Sequence, residues 1–299
     1  MEPHHPRRAP TAAMDPPSRP AMSHSSAFLL PSSATPAASA DAYAVVVLNQ
    51  RLPRFAPLLW DRAQVRVCAD GGANRVFDGM PELLPGHARD DVRSRYKPDV
   101  IKGDMDSVRP EVKEYYSNLG TKIADQSHDQ ETTDLHKCVA FITDNSPGSD
   151  KSNLCILVLG ALGGRFDHEM GNINVLHLFP NIKIVLLSDD CLIFLLPRTH
   201  THNIHIERSV EGPHCGLIPV GAPSTSTTTT GLRWNLGKCF TWSISCGAMQ
   251  QQLMFQCIFS SDNTHMSFGG LISTSNIVDE DQVMVTSDSD LIWTISLRH

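Results

Sequence analysis

The sequence predicts an α/β fold in which a largely parallel sheet is followed by a small antiparallel β-sandwich. Three observations carry that expectation. Short β-branched apolar runs alternate with helical stretches from Tyr43 to Leu196, and several of those runs end in a Gly- and Asp-bearing turn. Beyond Pro197 helical periodicity stops, and short runs punctuated by Gly, Pro, Ser and Thr take over.

The elements follow in order. Ala44–Leu48 (AVVVL) and Val65–Ala69 (VRVCA) read as buried strands, the second running into Asp70-Gly71-Gly72. Pro98–Lys102 leads into Gly103-Asp104-Met105-Asp106. A helix is expected from about Thr132 to Ile142, since Leu135, Cys138, Val139 and Ile142 share one face. Cys155–Leu159 (CILVL) is a strand that enters Gly160-Ala161-Leu162-Gly163-Gly164, and Met170, Ile173, Leu176 and Phe179 follow at helical spacing. Ile184–Ser188 and Leu192–Leu196 close this domain, residues 41–197. His202–Glu207, Cys215–Val220, Ser224–Thr230, Val283–Thr286 and Leu291–Leu297 supply the sandwich of residues 198–299.

Residues 1–40 stand apart. Pro, Ala and Ser supply 24 of the 40 and no apolar period appears, so a disordered leader is expected. Arg7, Arg8 and Arg19 admit a transit peptide as the alternative, while eight prolines oppose the amphipathic helix such a peptide needs. Hydrophobic residues make up 41% and charged residues 19%, ordinary for a globular chain. The formal net charge of −7 offers no concentrated basic face for nucleic acid or an anionic membrane, so neither partner is expected. No apolar run approaches the roughly 18 residues that span a bilayer. Eight cysteines without a CxxC pair suit reduced thiols, and a cytosolic location is expected.

The acidic residues carry the chemistry. Asp70 follows one strand directly, Asp104 and Asp106 follow another, Asp134 opens a helix, and Asp167 lies past a Gly-rich turn. Ligands of open α/β sheets bind outside the carboxyl ends of strands, so these carboxylates converge on one edge. They would repel one another without a cation, and hard oxygen ligands suit Mg²⁺ together with substrate phosphates. Alone, Asp134 reads equally as a helix N-cap. Gly71, Gly72, Gly103, Gly163 and Gly164 let backbone N–H groups approach phosphate, and the Arg165 guanidinium suits phosphate oxygens. Arg165 could instead pair with Asp167 or Glu169. No G-x-x-x-x-G-K-[ST] occurs, and the absence of G-x-G-x-x-G argues against a nicotinamide-dependent oxidoreductase. Phosphoryl-type transfer from a nucleotide is the expected class.

Four stretches then occur in order: Asp70-Gly71-Gly72-Ala73-Asn74-Arg75, Gly103-Asp104-Met105-Asp106-Ser107, Asp129-Gln130-x-Thr132-Thr133-Asp134 and Gly163-Gly164-Arg165-Phe166-Asp167-His168. Together they resemble the eukaryotic thiamine pyrophosphokinase family, over most of Ala44–Leu236 and again over Ser267–Leu297. The resemblance implies a Rossmann-like ATP-binding domain, a thiamine-binding β-sandwich, and a homodimer with thiamine across the subunit interface. It implies that Asp70, Asp104, Asp106 and Asp134 hold Mg²⁺ and the triphosphate of ATP, with Asp104, Asp106 and Asp134 catalytic. Gly71, Gly72, Gln130, Thr133, Arg165 and Asp167 would complete the nucleotide site. Thr228–Asn235 also resembles the family; there Trp234 would pack on the thiamine rings, faced by Ser273, Ser275 and Asn276 in the Ser273–Asn276 segment of the partner subunit. The face of an indole suits the thiazolium cation, and a sandwich-core aromatic is the alternative for Trp234. The chain departs from the family pattern over Gly237–His265, which reads as an insert between the two thiamine segments. A catalytically impaired nucleotide-binding isoform is therefore the alternative to an active enzyme.

Overall fold

The computed structural model describes residues 19–31, 43–146, 154–237 and 265–298. Residues 1–18 and 32–40 of the expected leader, and 238–264 of the expected insert, lie outside those residues.

The described chain opens on β1 (Ala21–Ser25) and then builds strand–helix units. These are β2 (Tyr43–Val47), α1 (Ala56–Arg62), β3 (Val65–Ala69), α2 (Gly72–Leu83), α3 (Arg89–Arg95), β4 (Val100–Gly103), α4 (Pro110–Asn118) and β5 (Lys122–Asp125). The series continues with α5 (Asp134–Asn145), β6 (Cys155–Leu159), α6 (Phe166–Leu178), β7 (Lys183–Leu187) and β8 (Cys191–Leu196). All five residues of β2 are buried, as a strand covered on both faces requires. Tyr43, Val45 and Val47 pack with Leu59, Val76 and Val112 of α1, α2 and α4. Ala44 and Val46 face the other way, onto Leu135 and Val139 of α5 and Val175 of α6. Burying each such side chain contributes roughly 1.5–3 kcal/mol.

Six strands pair in parallel in the order β7-β6-β2-β3-β4-β5. The chain winds outward from β2 to β5, then crosses back to β6 on the far side of β2. The order therefore reverses between β2 and β6, and the crevice outside their carboxyl ends is where such a sheet binds ligands.

The second half adds β9 (Thr201–His205), β10 (Glu211–Ile218), β11 (Thr227–Thr230), β12 (Ser273–Ile277), β13 (Gln282–Ser287) and β14 (Leu291–Leu297). The expected boundary near Pro197–Thr201 coincides with the turn between β8 and β9. The sheet itself does not stop there. β14 pairs antiparallel with β8, so β12-β10-β14-β8 prolongs the parallel sheet to ten strands. A second sheet, β1-β9-β13-β11, closes the sandwich over that extension. Ile204, Val283 and Val285 of the one sheet share a core with Leu217, Trp293 and Ile295 of the other.

Residues 21–25 differ from the expected disorder. They form β1, parallel to β9, with Thr201 N–H donating to Pro20 O at 2.9 Å. An added edge strand is held by main-chain hydrogen bonds, which composition cannot register. β1 also carries a buried imidazole. His202 Nε2 lies 2.9 Å from Pro197 O and so donates, leaving its Nδ1 to accept from His24 Nε2 at 3.0 Å. His24 stacks on Phe194 at 4.6 Å, and its Nδ1 has no hydrogen-bond partner among the described residues. Burial pulls His202 down from 6.5 to about 4, opposed by the Pro197 carbonyl and aided by His200.

The folded value of His202 lies below the unfolded one. As pH falls through 6.5 the unfolded chain takes up the proton first, and stability declines from there towards about pH 4. His202→Phe should flatten that decline. Urea unfolding at pH 7.5 and 5.5 should give a pH-dependent loss about 1 kcal/mol smaller than wild type; equal losses would remove His202 from the account.

Candidate active site

β3 ends at Ala69, and the next residue turns the chain with a left-handed φ of 41° at Asp70. Asp70 is 1% exposed. Its Oδ2 accepts from Ser107 N–H and its Oδ1 from Val108 N–H, each at 2.9 Å. The turn after β3 and the loop after β4 are thus joined by one carboxylate. Burial raises its pKa, the two N–H groups oppose that, and the neighbouring Asp106 and Asp104 add to the rise. One carboxylate oxygen from each of Asp70, Asp104 and Asp106 lies within 4.8 Å of the others. Asp106 accepts from the Ser107 hydroxyl at 2.7 Å, which leads the depression of its pKa.

Asp134 approaches from the opposite face of the sheet as the first residue of α5. It is not the N-cap; Thr133 is, its Oγ1 accepting from His136 N–H at 3.3 Å. That frees the Asp134 carboxylate to face the acidic loop. Burial, then Asp104 and Asp70, push its pKa up to about 6, against a lowering by Lys137. Asp134 stands outside the closest trio but above the same glycine. A Cβ on Gly103 would lie 2.7 Å from Asp70 Cβ and 3.0 Å from Asp134 Oδ1.

Asp104 and Asp134 border an open cleft of about 470 Å³ at the β2/β6 reversal, which Asp70 and Asp106 do not line. Gly71, Asp104, Gln130, Thr133, Asp134 and Asp167 line it, as the sequence leads one to expect. Gly72 does not. A Cβ there would lie 2.0 Å from Val47 O, so Gly72 is a glycine because α2 packs directly on the end of β2. Arg165 does not line the cleft either. It is exposed and forks onto Asp167, Nε to Oδ1 at 3.1 Å and Nη2 to Oδ2 at 2.5 Å, which is the surface pairing kept open above.

The cleft also holds residues that sequence reasoning missed: Asn49, Gln50, Lys137, Glu169 and Asn172. Gln50 covers Gly164, where a Cβ would meet its Nε2 at 2.6 Å. Glu169 accepts from Gly163 N–H at 2.7 Å and Asn172 donates to Ala161 O at 2.8 Å, so α6 holds the Gly-rich turn after β6. The position of Asn49 and Gln50 just past a strand end was the available signal. For Lys137 it was the i,i+3 spacing from Asp134.

Trp234 is 55% exposed, which rules out the core-aromatic alternative. Its N–H donates to Asn276 Oδ1 at 3.2 Å, and Asn276 Nδ2 donates to Trp234 O at 2.9 Å and Ser273 Oγ at 3.1 Å. Ser275, with φ 57°, projects from the same edge strand β12. Trp234, Ser273, Ser275 and Asn276 are therefore brought together within one chain, and none of them lines the cleft.

Gly103→Ala should strike this arrangement at its tightest point. The added methyl must displace Asp70 or Asp134, so the melting temperature and turnover should fall together, stability by about 1–3 kcal/mol. A fully stable Gly103→Ala protein would show that the two carboxylates are not held by this contact.

Comparisons with known proteins agree with this geometry. The family model of the thiamin pyrophosphokinase catalytic domain matches residues 56–186, and that of the vitamin B1 binding domain matches 201–248 and 259–292. The second match runs through parts of the stretch read as an insert, leaving 249–258 outside it. Thiamine pyrophosphokinase 3 of Oryza sativa subsp. japonica is 75% identical over 287 residues, covering 94% of this chain and 98% of that one. Thiamine pyrophosphokinase 1 of Arabidopsis thaliana is 56% identical, covering 93% and 94%. Nothing in these relatives supports an impaired isoform. The yeast thiamin pyrophosphokinase crystal structure shares the fold at a TM-score of 0.70 and 22% identity, over 98% of this chain and 95% of that one. Motifs, cleft and relatives converge, and the chain belongs to the thiamine pyrophosphokinase family.

Proposed function

We propose that this chain is an active thiamine diphosphokinase, moving the diphosphoryl group of Mg-ATP onto the hydroxyl of thiamine and releasing AMP. The observation that carries this reading is the pair Asp104 and Asp134 on the cleft at the β2/β6 reversal, with Asp70 and Asp106 each bringing a carboxylate oxygen within 4.8 Å of Asp104. The trio fits a hard divalent cation: three carboxylates offer oxygen ligands within 4.8 Å, and the part of the rise at Asp134 that its acidic neighbours add to burial is what such an ion relieves. Asp70, Asp104 and Asp106, with Asp134 beside them, would hold Mg²⁺, which supplies charge neutralisation at the phosphates.

The chain's own groups do the rest. Asp70 fixes the acidic loop. Gln130, Thr133 and the backbone of Gly71 line the nucleotide side, and Asp167, onto which Arg165 forks, lines it too. The thiamine oxygen forms a bond to the β-phosphorus, the bond from that phosphorus to the bridging oxygen breaks, and AMP leaves with the electron pair. The hydroxyl proton passes to the carboxylate of Asp104 or Asp106. The exposed indole of Trp234 offers a platform for the thiazolium cation. Because it lies off the cleft of its own chain, a homodimer in which one subunit's Trp234 faces the other's acidic loop fits best.

Asp104→Asn and Asp106→Asn should each abolish AMP production from thiamine and ATP while the melting temperature holds or rises, since like-charge repulsion is relieved. Near-wild-type turnover in both would sink the carboxylate assignment.

Trp234→Ala should weaken thiamine binding by about 1–2 kcal/mol and leave ATP binding unchanged. Mixing inactive Asp106→Asn with Trp234→Ala protein should restore turnover, because one composite site of each mixed dimer is intact. No recovery after verified subunit exchange would place both substrates within one chain.

A further inference from the structure

Lys137 is placed in a way that a merely structural lysine would not favour. It is 4% exposed, so its ammonium has given up most of its hydration. It sits in the first turn of α5, where the helix dipole opposes a cation. Its ion pair with Asp134 Oδ1 is long at 3.9 Å, and no hydrogen-bond acceptor among the described residues meets its Nζ. An ammonium has three donors to satisfy, and all three lack a close partner here. The other buried amine nearby, Lys102, lies over the Phe141 ring at 5.3 Å and does not line the cleft. Lys137 does line it, so what remains exposed of this side chain opens towards the nucleotide. Local rules broken together at one residue are expected where function maintains them.

We propose that Lys137 is a catalytic residue of the diphosphoryl transfer, its Nζ leaving the long contact with Asp134 to bind phosphate oxygens of the nucleotide. This rests on reading the cleft as the ATP site. As the thiamine oxygen bonds to the β-phosphorus and the bridging oxygen departs on AMP with the electron pair, Lys137 keeps a fixed positive charge beside the oxygens that gain negative charge. A compact ammonium on a four-carbon stem suits that role, acting as a point charge on phosphate that can follow a moving oxygen. Arg165 is the less apt candidate for this step, being exposed and already forked onto Asp167. In the unliganded protein Lys137 offsets part of the charge on Asp134, which explains why a buried cation can be kept there between turnovers.

The test compares the full-length wild type with Lys137→Met and Lys137→Arg. Calorimetry with ATP in EDTA reads the phosphate contact without a divalent cation; thiamine binding, melting temperature and kcat are measured alongside. Lys137→Met should weaken metal-free ATP binding about tenfold or more, as expected for a lost charged hydrogen bond, and lower kcat about 100-fold. Thiamine affinity and melting temperature should stay near wild type, and Lys137→Arg should recover part of the metal-free ATP affinity. Wild-type ATP affinity in Lys137→Met, whether or not its stability falls, overturns the proposal and leaves a structural lysine. If Lys137→Met does not fold, Lys137→Gln carries the same comparison. A wild type that releases AMP from ATP and thiamine while Lys137→Met matches it in ATP binding defeats only the Lys137 assignment. A wild type that neither binds ATP nor releases AMP defeats the reading of the cleft as well.

Discussion

Asp70 accepts a main-chain hydrogen bond on each carboxylate oxygen, from Ser107 and Val108, and through them the loop after β4 is fixed to the turn after β3. Hydrogen bonds to a charged acceptor contribute about 1.5–3 kcal/mol each, enough to offset much of the cost of burying the group. Most of the site depends on this clamp. Asp104 and Asp106 ride on the clamped loop, and Asn74 of α2 extends it by donating to Ser107 O and accepting from Arg109 N–H. Gly103 lets the clamp close, because no side chain at that position would fit between Asp70 and Asp134.

What the clamp assembles is electrostatically uncomfortable. Asp134 is held up at about 6 by burial and by its acidic neighbours, and Asp70 is raised for similar reasons. Groups displaced in this way, in a cleft, mark a site whose favourable partner arrives from outside. Among the described residues the cationic answers near these carboxylates include Lys137 at the long distance already described, and Arg165 turned outward onto Asp167. Arg165 is exposed and Lys137 lines the cleft, so each has a route to a phosphate bound there.

Much of this was legible in the sequence because strand ends announce themselves. β2, β3, β6 and β8 are apolar runs stopped by polar, proline or glycine turns, and the acidic motifs sit after β3, β4 and β6. Other features were not legible, for physical reasons. β1 is added by backbone pairing, with a buried histidine where an apolar residue would be looked for. The continuity of the sheet through β8 and β14 joins residues 191–196 to 291–297, a pairing between distant segments that no local pattern reports. Gly71 and Gly72 are adjacent and look alike in sequence, yet one borders the cleft and the other admits the close approach of α2 to Val47. Lys137 reads as an ordinary helical lysine until its burial is known.

The continuous sheet also constrains how the substrates meet. From β6, which borders the cleft, the order runs β7, β8, β14, β10 and β12, the strand that carries Asn276 beneath Trp234. Five steps at roughly 4.8 Å between strands put β12 on the order of 24 Å from the reversal point. Hinge closure between the two halves cannot shorten that span without tearing the β8–β14 ladder, which pairs six residues on each strand. A rigid scaffold of this kind keeps Trp234 and the acidic loop of one chain apart, and the proposed delivery of thiamine by another copy rests on that separation. The half-exposed indole, left facing away from its own core, is what such a delivery needs. In the proposed dimer the second subunit is part of the chemistry as well as of the assembly, since it would bring the thiamine oxygen within bonding reach of the β-phosphorus.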